Sequence, residues 1–451
     1  MTHAFPHSFC SCGRALVRPT PCGFSRTPAS FARRVAAELR FDAALLRSPV
    51  PGERAVVPFR LAYRLLKPFA RKRVWLVTDR VSRADDNGFA LFRHLVARQR
   101  ETGVRPKFVL DPKSPDWDSV RAVGPVVPYT PVRYRLASLF AEWTISSHFG
   151  NHVRRPFLGR QHLVGDLFLD HRFAFLQHGI TQNDMSPYLH RASKDFSLLV
   201  AASPREREGF LAGGAYGYGP DEVVLAGFPR FDFLENRAEK IVAFMPTWRR
   251  GLVKTGDAAH GRNVLREDFR NSPYARSVRE TFSDPDLLAA ARRLGYRLLF
   301  LPHPDLMTNR DAFGISGDVE ILGPDASYRD LFARASLCVT DYSSAVFDFA
   351  FLRKPVMYCQ TDPIHYARGW FDYERDGFGP VFRDRKSLVE AIVSAMERGC
   401  PLEEPYRSRV EAFFPFRDRD NCRRVADAIL AASRNRSDKV HSSVLFARPV
   451  S

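Results

Sequence analysis

The chain has 451 residues, of which 45% are hydrophobic and 26% charged, with a formal net charge of +18. This length supplies two to three domains, and the ordinary apolar fraction excludes disordered, collagen-like and low-complexity chains. No run of about 18 apolar residues exists, no apolar signal core opens the chain, and the cysteines at 10, 12, 22, 338, 359, 400 and 422 fit neither a disulfide scaffold nor a zinc signature, so a reduced, cytoplasmic protein with no metal is expected.

Residues 1–30 carry Pro, Ser, Cys and Arg without an apolar period and read as disordered. Cys10, Cys12 and Cys22 lack a fourth ligand at normal spacing. Residues 31–47 have helical spacing. Residues 54–73, RAVVPFRLAYRLLKPFARKR, hold seven basic residues and no acid. Two uses are open to this stretch. One is an amphipathic helix on an anionic membrane, with Arg60, Arg64, Lys67, Arg71, Lys72 and Arg73 as its cations. The other is a helix packed on the next domain with a solvated basic face. Pro58 and Pro68 limit either to a few turns. Residues 1–73 carry +11 of the charge and the rest of the chain +7. Without an RNP pattern, zinc finger or helix-turn-helix, nucleic acid is not an expected partner.

From residue 73, short apolar runs alternate with helical segments. Strands are predicted at Val74–Thr78, Lys107–Leu110, Trp143–Ser146, Phe173–Gln177, Leu198–Ala202 and Val223–Ala226. A second series follows at Ile241–Met245, Arg297–Leu301, Val319–Leu322, Leu337–Thr340 and Val356–Cys359. Helices are predicted between them, among others at 89–100, 204–212, 285–294, 327–335, 343–352 and 386–397, with a last one at 419–433. This alternation predicts βαβ units and parallel sheets. The expected organisation is a basic extension at 1–53, one doubly wound domain at 54–235, a second at 236–400, a helical segment at 401–434 and a disordered tail at 435–451.

Ligands of open parallel sheets bind beyond the carboxyl ends of the strands. His178-Gly179, Thr247-Trp248-Arg249-Arg250, His303 between two prolines, and Asp341-Tyr342-Ser343-Ser344 all follow predicted strands. A lone His at a strand end is more often structural than catalytic. Gly179 improves His178, because a glycine admits close approach. Thr247, Arg249 and Arg250 suit a phosphate, since Arg offers a planar fork of donors. Ser343 or Ser344 is predicted to cap the helix that follows, and that helix end suits a phosphate. Asp348, on an otherwise apolar helix, needs a buried partner or a ligand. The strand ends show no metal pattern and no dinucleotide fingerprint. A nucleotide-activated group transferase is the expected class.

QHGITQNDMS, GFPRFD, PTWRR, PHP and TDYSSAVFDFAFLRKPVMY, followed by Tyr366, Arg368-Gly369 and Asp372-Tyr373, resemble the CDP-glycerol:poly(glycerophosphate) glycerophosphotransferase family of teichoic-acid and capsule synthesis. TDRVSRADDNG and TISSH fit its N-terminal half. The resemblance covers about residues 73–400. It implies a GT-B-like α/β fold, with two Rossmann-like doubly wound parallel-sheet domains facing a central cleft. It also implies peripheral attachment to the cytoplasmic membrane face, CDP-glycerol or CDP-ribitol as donor, an undecaprenyl-linked acceptor and no cofactor. By motif, His178 is similar to the family's proposed base and His303 to the histidine near the donor phosphates. Asp341, Ser343 and Ser344 are similar to the nucleotide-side loop. Two positions depart from the pattern: Leu301 stands where many members have Arg, and Gln177 where many have Trp or Thr. The expected reaction is transfer of glycerol phosphate from CDP-glycerol to a lipid-linked hydroxyl with release of CMP. The alternative is a GT-B glycosyltransferase that uses a nucleotide sugar for cell-surface polysaccharide.

Overall fold

A computed structural model describes residues 28–70, 73–257, 262–315, 317–323, 326–362 and 367–445. Cys10, Cys12, Cys22, Arg71, Lys72 and Tyr366 lie outside the described residues. The chain divides into two compact units, Met1–Phe175 and Leu176–Ser451.

The first unit is built on parallel strands β1 (Arg73–Thr78), β2 (Val104–Leu110), β3 (Val126–Pro128), β4 (Ala141–Ser146) and β5 (Arg172–Phe175), in the order β3-β2-β1-β4-β5. The order reverses between β1 and β4, which pair in parallel with Thr78 opposite Ser146. Ahead of this sheet, the helices Pro28–Leu46 and Val57–Leu66 are pinned together by Arg60. Its guanidinium donates to Asp42 at 2.6 Å, to Asp166 at 2.7 and 2.8 Å and to the Leu163 carbonyl at 2.9 Å. Leu45 joins Val56, Val57, Phe59 and Phe157 in the apolar cluster beneath.

This corrects the reading of two basic residues. Arg60 is 1% exposed and faces inward. Arg64 pairs with Glu38 at 3.2 Å and with Asp42. Of their counter-ions, Glu38 and Asp42 lie in the preceding helix and Asp166 lies 106 residues beyond Arg60, all outside a charge count over 54–73. The end of the segment behaves differently: Leu61, Leu65, Leu66 and Phe69 are 43, 71, 53 and 81% exposed.

The second unit opens with paired parallel strands β6 (Leu198–Ala201) and β7 (Val223–Leu225). A hairpin, β9 (Val253–Asp257) and β10 (Arg262–Leu265), follows β8 (Ile241–Met245). The main sheet holds β8, β11 (Arg297–Phe300), β12 (Val319–Ile321), β13 (Leu337–Thr340), β14 (Val356–Cys359) and β15 (Val381–Phe382). Its order is β12-β11-β8-β13-β14-β15, all parallel, so chain direction across the sheet reverses between β8 and β13. Every residue of β8 and β13 is buried, as a strand covered on both faces requires.

Local chemistry sets the helix ends. Asp284 accepts from the Asp286 and Leu287 amides, Pro285 fills the first turn, and Gly295 closes the helix Pro285–Leu294 at φ 73°. Val242, Phe244, Leu298, Phe300, Leu337 and Val339 pack against Phe282, Leu287, Leu388 and Ile392 of the covering helices. Each buried large apolar side chain contributes about 1.5–3 kcal/mol, which fixes the strand ends where the polar loops begin.

All eleven predicted strands are present within a residue or two at most edges. β3, β15 and the hairpin escape the apolar pattern because they are very short or polar. The short helix Tyr406–Phe413 precedes the last one. The last helix, Asn421–Leu445, runs past the expected start of a disordered tail at 435, since no Gly or Pro interrupts it.

Candidate active site

The loops after β8, β11 and β13 leave neighbouring strand ends, because Phe244 pairs with Phe300 and Met245 with Thr340. This places Thr247-Trp248, His303 and Asp341–Ser344 at the reversal point of the sheet, where open α/β sheets bind ligands. The half-buried His303 has the Trp248 ring at 6.3 Å.

Asp341 holds this reversal point together. It is 4% exposed, and its Oδ1 accepts from the Thr247 amide at 2.8 Å and the Tyr342 amide at 2.6 Å. Arg249 Nη1 lies 2.9 Å from Asp341 Oδ2, an ion-pair contact without hydrogen-bond alignment. Arg249 is itself buried. It donates to Asp362 at 2.6 and 2.8 Å and to the Thr247 carbonyl at 2.8 Å, between the rings of Tyr274 and Tyr342. Its guanidinium is therefore committed to holding the turn, which leaves little of it for a phosphate. Burial resists the charge, but Asp362 and Asp341 keep Arg249 firmly protonated. A cavity of about 50 Å³ behind the turn, walled by Phe244, Arg249, Tyr274, Asp341 and Asp362, admits a few water molecules. Arg250 begins the short turn Arg250–Leu252, and its side chain lies outside the described residues.

The serines differ from expectation. The helix spans Val346–Phe351 rather than 343–352, and Ala345 stands at its N-cap without a side-chain cap. Ser343 Oγ accepts from the Ala345 amide at 3.2 Å, and the Ser344 carbonyl from the Phe347 amide at 3.3 Å. The serines thus form a local turn that competes with helix. A six-residue helix has a small dipole, so the hydroxyls are what this turn offers an anion.

Asp348, 4% exposed, has the buried partner that its position demands: Arg230 grips it with two parallel hydrogen bonds of 2.6 and 2.7 Å. Arg230 Nη1 also donates to the His178 carbonyl at 3.2 Å. Arg230 comes from GFPRFD, whose Asp232 accepts from the Asn421 and Cys422 amides at 2.9 and 2.7 Å and so caps the last helix. Gly179 stands against Ser344: a Cβ there would lie 2.6 Å from Ser344 Oγ. A side chain there would push the Ser344 hydroxyl out of its present place. Gln182 Nε2 donates to the Tyr342 carbonyl at 2.7 Å, and Trp370 Nε1 to the Thr181 carbonyl at 2.7 Å.

The exposed His178 is presented by a backbone that is not itself relaxed. Gln177 has φ 62°, in the left-handed region that a residue with a Cβ rarely enters. The predicted strand ends at Phe175, two residues earlier than expected, for this reason. Beneath the turn lies Glu206, fully buried, accepting from the Thr181 amide at 2.7 Å, the Ala202 amide at 2.7 Å and Gln177 Nε2 at 3.0 Å. Burial pushes the Glu206 carboxyl up to about 7, against the pull of these donors.

Thus the structure joins His178, Gly179, Ser344 and Asp348 in one contact set. It gathers Thr247, Arg249, Asp341 and Ser343 at the adjoining strand ends, beside His303. Arg230, Glu206, Gln182 and Asp362 are the residues that sequence reasoning left without roles. For Arg230 a signal existed: a carboxylate alone on an apolar helix calls for a guanidinium. Among the described residues, no group of three His, Cys, Asp or Glu could hold a metal.

Two parallel open sheets, with hydroxyl and imidazole groups at the reversal point of one, define an α/β fold with a candidate ligand site at that point. The chain belongs to the CDP-Glycerol:Poly(glycerophosphate) glycerophosphotransferase family, whose profile matches residues 59–431. It is 34% identical over 382 residues to the minor teichoic acid biosynthesis protein GgaB of Bacillus subtilis (strain 168), covering 84% of this chain and 42% of that protein. It is 26% identical over 222 residues to the teichoic acid poly(glycerol phosphate) polymerase of the same strain, covering 44% of this chain and 26% of that protein. The chain thus spans less than half the length of either relative. The structure of the wall teichoic acid polymerase TagF superposes with a TM-score of 0.58 at 15% identity, covering 91% of this chain and 99% of that one. At that identity the likeness concerns the fold.

Proposed function

We propose that this protein transfers glycerol phosphate from CDP-glycerol to a hydroxyl of a lipid-linked, teichoic-acid-type acceptor. The observation that carries this reading is the meeting of two loops, in which Gly179 lies against Ser344 while Arg230 ties the His178 carbonyl to Asp348. In the reaction the acceptor oxygen bonds to the β-phosphorus, and the bond from that phosphorus to the oxygen bridging to CMP breaks. The acceptor proton passes to His178, and CMP leaves with the bond electrons. A neutral imidazole suits proton uptake near pH 7. His303 and the Ser343 and Ser344 hydroxyls donate to the donor phosphates, where charge builds in the transition state. Asp341, Thr247 and Arg249 hold that turn in place. The deciding experiment supplies CDP-glycerol, CDP-ribitol or UDP-sugars with an acceptor analogue and measures released nucleotide. CMP release from CDP-glycerol is expected; UDP release would instead assign the protein to the nucleotide-sugar transferases.

Substitution in the donor site separates binding from packing. His303→Ala, and Ser343→Ala with Ser344→Ala, each remove a phosphate donor worth about 1.5–3 kcal/mol when charge-assisted. Calorimetry with CMP or CDP-glycerol is expected to show at least about tenfold weaker binding in each. Equal affinity in both variants would place the phosphates elsewhere.

The proposal extends to location: the protein works at the cytoplasmic membrane face, held peripherally. No helix among the described residues is long and apolar enough to cross a membrane. Leu61, Leu65, Leu66 and Phe69 are exposed beside exposed Lys67 at the end of Val57–Leu66, a composition suited to the interface of an anionic bilayer. Leu65→Gln, Lys67→Gln and Phe69→Gln together should abolish sedimentation with anionic vesicles, while turnover on a soluble acceptor analogue persists. Arg60 is excluded from this set, because its loss would remove the buried guanidinium that ties Asp42 to Asp166 inside the fold. Undiminished sedimentation would move the membrane contact to another surface.

A further inference from the structure

We infer that Glu206 is a positioning residue for the transfer chemistry, acting through the Gln177–Thr181 turn to set where His178 stands. This inference rests on the reading of His178 as proton acceptor in the proposed reaction.

The argument begins with the backbone. The residue before His178 is held at φ 62° without being glycine. Such a conformation is strained and persists only where the surroundings fix it. Here they do so on every polar atom of the Gln177 side chain. Its Nε2 donates to the Val200 carbonyl at 2.6 Å and to Glu206 Oε1 at 3.0 Å. Its Oε1 accepts from the Thr181 hydroxyl at 2.6 Å. Glu206 completes the frame by taking the Thr181 amide on the same oxygen and the Ala202 amide on the other.

One buried carboxylate therefore grips the residue before His178, the residue three after it, and the end of β6. Ser203 holds Glu206 from the other side: its hydroxyl accepts the Glu206 amide at 3.2 Å and caps the helix Pro204–Leu211. The carboxylate sits on the first turn of that helix, so its position is fixed by regular structure rather than by a loop. Glu206 is fully buried, so it acts on substrate only through the turn. The chemistry gives a reason for such rigidity. A misplacement of about 1 Å in a reacting group costs on the order of 100-fold in rate.

The frame also accounts for a glutamine at position 177. An amide at this position supplies two donor hydrogens and one acceptor, matched here by the Val200 carbonyl, Glu206 and the Thr181 hydroxyl. Trp or Thr at this position could not satisfy all three. Gln177, Thr181 and Glu206 thus form a matched set, in which changing one leaves another buried group without its partner.

The test is Glu206→Gln, which keeps shape but turns an amide hydrogen towards an amide donor. Thr181→Val, which removes only the hydroxyl to Gln177, provides a second and milder variant should the first fail to fold. The expected result is a drop in kcat of about 10- to 100-fold with the KM for CDP-glycerol within about twofold of wild type. The His178 ring resonance, assigned by its loss in His178→Ala, should move in both variants in NMR spectra. A loss of general stability would also lower apparent kcat at unchanged KM, through a smaller active fraction, but without a selective shift at His178. A His178 resonance unmoved in the folded variants overturns the inference. That readout needs no turnover, so absence of CMP release by the wild-type protein would sink the donor assignment while still deciding the role of Glu206.

Discussion

His178→Ala is expected to lower kcat by at least about 100-fold, with CDP-glycerol binding close to that of the wild-type protein. General-base catalysis contributes typically 10²–10⁴-fold. A group that takes a proton only as the new phosphate ester forms acts on the transition state, so its removal depresses kcat and kcat/KM together and leaves donor affinity alone. The structure supports a clean measurement. The His178 ring is exposed, while the holding contacts of its turn are made by the Gln177 side chain, the Thr181 amide and hydroxyl, and the His178 carbonyl. Truncation to Ala keeps all of these. The variant should therefore fold, bind CMP and melt near the wild-type temperature. Wild-type turnover would remove His178 from the mechanism and leave its loop as a binding wall.

The contrast between His178 and Arg249 shows what the sequence carries and what it does not. Both follow strands, and both have side chains suited to the chemistry. Strand positions were legible because parallel strands are buried on both faces and read as continuous apolar runs; IVAFM and LCVT are buried throughout. The polar residues after those runs were legible as strand-end loops. Which way each loop turned its side chains was not, because that depends on partners remote in sequence. Arg249 is turned inward by Asp362, 113 residues away, and Arg230 is matched to Asp348 across 118 residues. Gln177 appeared in the sequence only as an unusual neighbour of HG. Its meaning lies in Glu206, on a helix whose sequence, PREREGFL, gives no sign that one of its two glutamates is fully buried.

The serines teach the same lesson at short range. Two consecutive hydroxyl residues ahead of an apolar helix predict a cap, and capping does favour Ser. In the folded chain Ser343 serves a turn, and the helix begins later. Local hydrogen bonding favours the turn, and the approach of Gly179 to Ser344 is compatible with it.

Arg230→Met is expected to be among the most destabilising single changes in the second unit, at about 3–5 kcal/mol, because it strands a buried carboxylate. Asp348 sits on a helix whose six residues are all buried, and Arg230 is its bidentate partner. The attraction between them does not amount to that figure, since burying both charges has its own cost. What the single substitution exposes is the penalty of leaving one charge without the other. The double variant Arg230→Met with Asp348→Leu tests this directly. Replacing a buried ion pair by apolar residues of similar volume is often neutral or stabilising, so the double variant should regain most of the lost melting temperature. Turnover should behave differently. Arg230 Nη1 also donates to the His178 carbonyl, and neither Met nor Leu can restore that bond. The double variant is therefore expected to be stable and still impaired in kcat, a separation that packing alone would not produce. If turnover returned along with stability, Arg230 would be reduced to a tie between GFPRFD and the helix, and the hold on His178 would rest with the turn above Glu206.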